Sequence, residues 1–198
     1  MVGVRKFDTE EVLERAMRTF WRYGFDATSI QDLTDATGLG RGSLYGAFQD
    51  KETLFLAAID RYLRNSRTEW AATLSAPDIR DAIHGYLHQL IATLTSESAE
   101  AGCFLILASM SSEARSGKVR RRLQRAFAEE ERALYDRLRS AEQAGDLPEG
   151  SDPQTLARFF VAQGRAIGVT ARSNADPALL HDIAATSLTV LGPSKGAH

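Results

Sequence analysis

Apolar residues recur at three- and four-residue intervals along nearly the whole chain and almost nowhere at intervals of two, a pattern that predicts helices and no sheet. Val12, Leu13, Ala16, Met17 and Phe20 line one face of a first helix from about Asp8 to Tyr23, with Asp8 or Thr9 as cap and Gly24 just beyond the end. Ile30, Leu33 and Ala36 predict a short helix ending near Thr37, begun by Thr28 or Ser29 as capping oxygen. Gly38-Leu39-Gly40 breaks it, and a third helix follows from Arg41 to Phe48 in which only Leu44 and Phe48 demand burial. Asp50 opens a longer helix over 51–74, carried by Leu54, Phe55, Ala58, Ile59, Tyr62 and Leu63.

The second half opens at Ser75-Ala76-Pro77-Asp78 and reads as helices over 78–95, 101–111, 118–144, 153–172 and 177–191, with Gly145 to Gly150 as a further break. The expected organisation is an all-α chain. A helix-turn-helix head occupies 1–50 with its motif at 29–48, a connecting helix 51–74, a helical domain 75–193, and a loose tail 194–198.

Composition narrows the function. The apolar stretch Cys103–Met110 is far short of the roughly 20 residues that span a bilayer. The first residues lack the apolar core of a secretory signal, so a cytoplasmic location without membrane attachment is expected. The single cysteine, Cys103, excludes an intrachain disulfide and a cysteine-cluster metal site. Net charge is −2, and residues 1–52 hold 7 Lys and Arg against 9 Asp and Glu, so any contact with nucleic acid must rest on where the basic groups stand rather than on their number.

That placement fits DNA. The second helix of a helix-turn-helix enters the major groove by its N-terminal end, where small side chains let the backbone approach base edges. Arg41, Gly42, Ser43 and Tyr45 occupy those positions, offering a guanidinium, a hydroxyl and a hydroxylated ring. Phosphates would meet helix starts, at Thr28 or Ser29 and at the amide and ammonium of Lys51, with Arg5 and Lys6 as a possible arm.

Ser29 to Phe48 (SIQDLTDATGLGRGSLYGAF), the following Asp50-Lys51-Glu52-Thr53-Leu54, and Phe20, Gly24 and Thr28 before them resemble the TetR/AcrR transcription regulators. The resemblance implies a homodimer that sets two heads on a near-palindromic double-stranded operator, with a C-terminal domain that binds a small-molecule effector and supplies a four-helix dimer interface. It also implies phosphate contacts at Thr28 and Lys51, base-facing positions at Gly42 and Ser43, and a backbone or thymine contact at Tyr45. Gly40, Gly46 and Ala47 depart from the usual pattern, which shifts weight onto Tyr45 and Lys51.

On the same resemblance Gly164, Gly168, Leu180, Ile183, Ala184, Ser187 and Leu188 are candidates for the dimer interface, packing within one chain being the alternative. Phe104, Leu107, Met110, Phe127, Tyr135, Phe160 and Arg165 are candidates for the effector pocket. They would suit an apolar or aromatic ligand, anionic if Arg165 faces inward.

Three further features read as structural rather than chemical. Cys103 has no nearby cation to favour a thiolate, so a redox sensor is the lesser alternative to a buried thiol. His84 and His88 have the i, i+4 spacing of two metal ligands but no evident third, and no metal or other cofactor is expected. The basic run Lys118, Arg120, Arg121, Arg122 and Arg125 precedes Glu129, Glu130 and Glu131 and reads as a solvated helix face. No P-loop, GxGxxG or catalytic triad order supports an enzyme. A helical binding module without DNA affinity is the remaining rival. The expected mechanism is a ligand-driven change in the spacing of two recognition helices, held about 34–36 Å apart on DNA.

Overall fold

A computed structural model describes residues 7–96, 100, 102–115, 117–174 and 176–192; the proposed arm at Arg5 and Lys6 and the tail 194–198 lie outside them. The described residues are helical throughout, with no strand. The elements are α1 (Thr9–Ala27), α2 (Ile30–Thr37), α3 (Arg41–Phe48), α4 (Lys51–Leu74), α5 (Ile79–Thr95), α6 (Phe104–Ser109), α7 (Gly117–Gln143), α8 (Pro153–Ser173) and α9 (Pro177–Ser187). Short 3-10 turns lie at Ser112–Arg115 and Leu188–Leu191.

Caps decide most of the starts. The carboxylates of Asp8, Asp50, Asp78, Asp152 and Asp176 each accept from the first free amides of the helix that follows. Ser29 and Asp32 cap α2 reciprocally, serine accepting from the Asp32 amide and Asp32 from the Ser29 amide. In α1 the break falls at Gly24 (φ 79°, ψ 165°), a backbone region open to glycine alone, after which one more turn runs to Ala27.

Three stretches differ from the periodicity. The helix expected over 101–111 is only α6, because Gly102 takes φ 78° and Cys103 is extended. The indole N–H of Trp21 donates to the Gly102 carbonyl at 2.6 Å there. The helix expected to reach 191 becomes a 3-10 turn after Ser187, and the turn Ser112–Arg115 has no counterpart in the periodicity.

Two cores result. One gathers Val12, Phe20, Leu33, Leu44, Phe55 and Ile59 of the head together with Phe104, Ala108, Val119, Leu123 and Ala126 from α6 and α7. The other packs α5, α8 and α9 against the second half of α7. The head therefore shares its core with the helices beyond it.

α4 and α7 run parallel in constant register. Asp60 pairs with Arg122 at 2.5 Å, Arg67 pairs with Glu129, and Arg137 donates to the Leu74 carbonyl at 3.1 Å, offsets of 62, 62 and 63 residues.

Candidate nucleic-acid interface and effector cavity

Gly38 closes α2 in the left-handed conformation (φ 70°), its amide donating to the Thr34 carbonyl at 2.9 Å, and Gly40 caps α3 without a side chain. This three-residue turn presents α3 with Leu44 and Phe48 inward and Arg41, Gly42, Ser43, Gly46 and Ala47 outward. A Cβ built at Gly40, Gly42 or Gly46 would meet nothing within 4 Å, so the outer face of α3 is low and open. The Arg41 guanidinium lies 5.7 Å over the half-buried Tyr45 ring. After α3 the chain turns through Gln49 (φ 65°, ψ −59°), where the Asp50 amide donates to the Phe48 carbonyl at 2.7 Å. This γ-turn is strained for a side-chain-bearing residue and sets the start of α4 beside the exposed face of α3.

The other expected phosphate contacts are placed less simply. Thr28 is buried, and its hydroxyl donates to the Gly24 carbonyl at 2.6 Å, holding the break in α1. Ser29 is exposed but occupied by its capping box, so the donors at this helix start are backbone amides. The Lys51 ammonium lies 4.3 Å from the centre of the Phe25 ring. Partial burial lowers its pKa, against the pull of Asp26, Glu113 and Asp32.

A cavity of about 80 Å³ lies between α4, α5 and α7, walled by Tyr62, Trp70, Tyr86, Leu90, Cys103 and Glu130 among others. The Tyr86 hydroxyl donates to the Glu130 carboxylate at 2.6 Å, and burial pushes the Glu130 carboxyl up. Arg67 and Glu69 are the other charged residues on its walls.

None of the seven residues expected to form a pocket lines this cavity. Phe104 and Phe160 are wholly buried in the two cores, Phe104 with its ring 5.6 Å from Tyr62 and 5.9 Å from Trp21 and Phe55. Leu107 packs over Gly24, Tyr135 packs on the second core, and Met110 is 65% exposed. Arg165 lies over the Phe127 ring at 4.5 Å, outside the residues that line the cavity, although its charge still acts on Glu130.

The small residues of α8 and α9 also face inward. Gly164 meets the Tyr86 hydroxyl, Gly168 meets the Cys103 Cβ, Leu180, Ala184, Ser187 and Leu188 are buried, and Ile183 packs on the second core. Close approach here joins α8 to α5 and α6 within one chain. The apolar side chains left outside on these helices are Val169 and Leu179, with Val190 just beyond α9. Cys103 caps α6, 3.7 Å from the Tyr62 hydroxyl, and burial raises its thiol pKa, which disfavours the reactive thiolate. His84 and His88 stack with ring centres 3.7 Å apart, and His181 of α9 adds a third ring 4.4 Å from His88.

Residues 12–58 match the family described as bacterial regulatory proteins, tetR family, and residues 79–186 match the tetracyclin repressor-like C-terminal domain. The chain belongs to the TetR family. It is 33% identical over 184 residues to the HTH-type transcriptional repressor ComR of Escherichia coli K12, spanning 92% of this chain and 88% of that one. Among solved structures, the TetR-family regulator CifR, in complex with a 26-base-pair operator duplex, superposes with a TM-score of 0.86 at 30% identity, covering 94% and 98% of the two chains. AibR, solved with isovaleryl coenzyme A and operator DNA, shares the fold at 19% identity, TM-score 0.71, covering 92% and 97%.

Within this TetR-family frame, the cavity residues that sequence reasoning missed come from four helices, α4 to α7, and from Cys103 just before α6. Tyr62 reads as part of a helix-packing stripe and Glu130 as part of a solvated face, and no local signal marks a stripe residue whose hydroxyl opens onto a void.

Proposed function

We propose that this chain is a cytoplasmic, dimeric repressor that holds a near-palindromic operator through its paired heads and is released when a small molecule enters the cavity between α4, α5 and α7. One observation carries the reading. α4 begins at the DNA-facing edge with Lys51 and, about three to five turns on, supplies Tyr62, Ser66 and Trp70 to the cavity. A single rigid element thus belongs to both sites.

Contacts are assigned by what each group has free. Arg41, Gly42, Ser43 and Tyr45 meet the groove, the Ile30 and Gln31 amides left free by the capping box after Thr28 and Ser29 meet a phosphate, and Lys51 meets another by its amide and, when drawn from Phe25, its ammonium. The cavity supplies the switch. Pockets that enclose a drug-sized ligand span about 300–1,000 Å³, so an effector larger than a few atoms must part α4 from its neighbours in order to fit about 80 Å³. Its binding energy is then spent on moving the helix that positions the head. Aromatic walls and the Glu130 carboxyl suit an aromatic ligand carrying hydrogen-bond donors. The outer faces of α8 and α9, with Val169 and Leu179, suit the contact with a second copy.

Selection of duplexes from a random pool by the native chain tests the reading. Enrichment of a two-fold related sequence bound by two chains is expected; retention of all duplexes alike would refute specific regulation.

A further inference from the structure

The basic run at the start of α7 has no place in the contacts above. Its members differ sharply. Arg122 pairs with Asp60 on α4, and Arg125 donates to the Arg121 carbonyl. Lys118, four residues before Arg122, shares its stripe, and Arg115 ends the 3-10 turn that precedes α7; both are exposed and close no ion pair among the described residues.

The register of α4 and α7 locates them. An offset of 62 residues, fixed by Asp60 with Arg122 and Arg67 with Glu129, sets Lys118 at the level of residue 56. Five helical residues rise about 7.5 Å, so Lys118 lies within one and a half turns of Lys51. A second tie fixes the same edge: the Ser112 amide donates to the Asp26 carboxylate at 2.9 Å, two residues before Thr28, and the Ser112 hydroxyl bonds it as well. The 3-10 turn, and with it Arg115, is thereby held against the last turn of α1, just ahead of α2.

The edge also carries Asp26, Asp50 and Glu113, which by themselves would repel a duplex. Hydrogen bonds from Ser112 hold the Asp26 carboxyl below its usual range, with Lys51 and Arg115 adding to the effect. Hydrogen bonds from Thr53 do so for Asp50, with Lys118 adding. A basic helix start is also unfavourable to its own dipole, since α7 has no acidic residue in its first turn. Asp26 and Asp50, kept ionised, take up part of this charge, and the exposed sides of Arg115 and Lys118 are left for a polyanion alongside.

We propose that Arg115 and Lys118 contact operator phosphates beside the head, so that the effector-binding region grips the duplex directly. The inference rests on the reading of the chain as a DNA-binding repressor. It makes the turn Ser112–Arg115 and the first turn of α7 a second route by which movement around the cavity loosens DNA, independent of the recognition helices.

The test compares native chain, Arg115→Gln/Lys118→Gln, and Arg132→Gln/Arg139→Gln, which removes equal charge at exposed positions farther along α7. Each binds the fluorescein-labelled duplex that the native chain selects from a random pool, over about 50–200 mM salt. Each lost phosphate contact flattens the plot of log K against log salt by about 0.9. Two residues in each of two subunits should remove about 3–4 from the slope and leave sequence preference intact. An unchanged slope, or an equal change in the Arg132/Arg139 pair, overturns the inference while the repressor reading stands. Selection of no duplex by the native chain overturns both.

Discussion

Replacing Gly168 by alanine separates packing inside the chain from packing between subunits. A Cβ at this position would stand 2.9 Å from the Cys103 Cβ. Carbon atoms rest at about 3.5–4.0 Å, and neither atom is the end of a flexible side chain. α8 and the start of α6 must therefore separate by about 0.6 Å or more. Overpacking of this kind costs about 1–3 kcal/mol, and a clash between two backbone-anchored atoms belongs at the upper end. The gain in helix propensity from Gly to Ala offsets about 1 kcal/mol. A net loss of about 2 kcal/mol should lower the thermal midpoint by about 4–8 °C. Urea titration of native chain, Gly168→Ala, Cys103→Gly and the double variant measures it. In the Cys103→Gly background the facing atom is gone, and the alanine should become neutral or stabilising. The loss should also be the same at every protein concentration, because the contact lies within one subunit. A stabilising alanine in the native background, or a penalty that grows on dilution, would refute this placement of α8.

Trp21→Phe keeps the ring but removes the donor to the Gly102 carbonyl, a buried bond of 2.6 Å, and should cost about 1–3 kcal/mol in the same titration; a neutral result would mean that the carbonyl finds another partner. Ser29→Ala removes one half of the α2 capping box and should cost about 1 kcal/mol, with no loss expected if solvent caps the helix equally well. Burial, together with His84 and His181, lowers the His88 pKa, so the unfolded chain takes up a proton before the folded one as pH falls below about 6.5. Thermal stability should therefore decline from pH 7 towards 5, and His88→Gln should decline less; an equal slope would remove the imidazole cluster as its origin.

The helices were legible because their signals are local. A periodic stripe, an Asp or Ser before it and a glycine after it lie within a few residues of one another, and α2, α3 and α4 start where those residues put them. α6 was overestimated for a reason that lies far off in the chain: Gly102 is held out of the helix by an indole 81 residues away. The same distance limits site reading. Small residues at Gly164 and Gly168 announce that something approaches closely, yet whether it is α5 and α6 or a second copy depends on how α8 is rotated, which the stripe alone leaves open. Arg165 illustrates the point with charge: its sequence neighbours say nothing of Phe127, the ring it covers. Small exposed residues on α3, by contrast, need no distant partner to be recognised, and their setting was apparent from Gly38 to Tyr45 alone.

The Gly24 break makes the end of α1 a junction. Thr28 closes the break with two bonds to one carbonyl, from its amide at 3.2 Å and its hydroxyl at 2.6 Å. The segment between them carries Phe25, whose ring receives Lys51, and Asp26, which receives Ser112. Four residues thus bind the end of α1 to the start of α4 and to the turn before α7, while the rest of α1 stays locked in the first core. Phe25 itself packs on that core, its ring 4.9 Å from Phe55, so Lys51, the break in α1 and the turn before α7 are tied to α4 as one body.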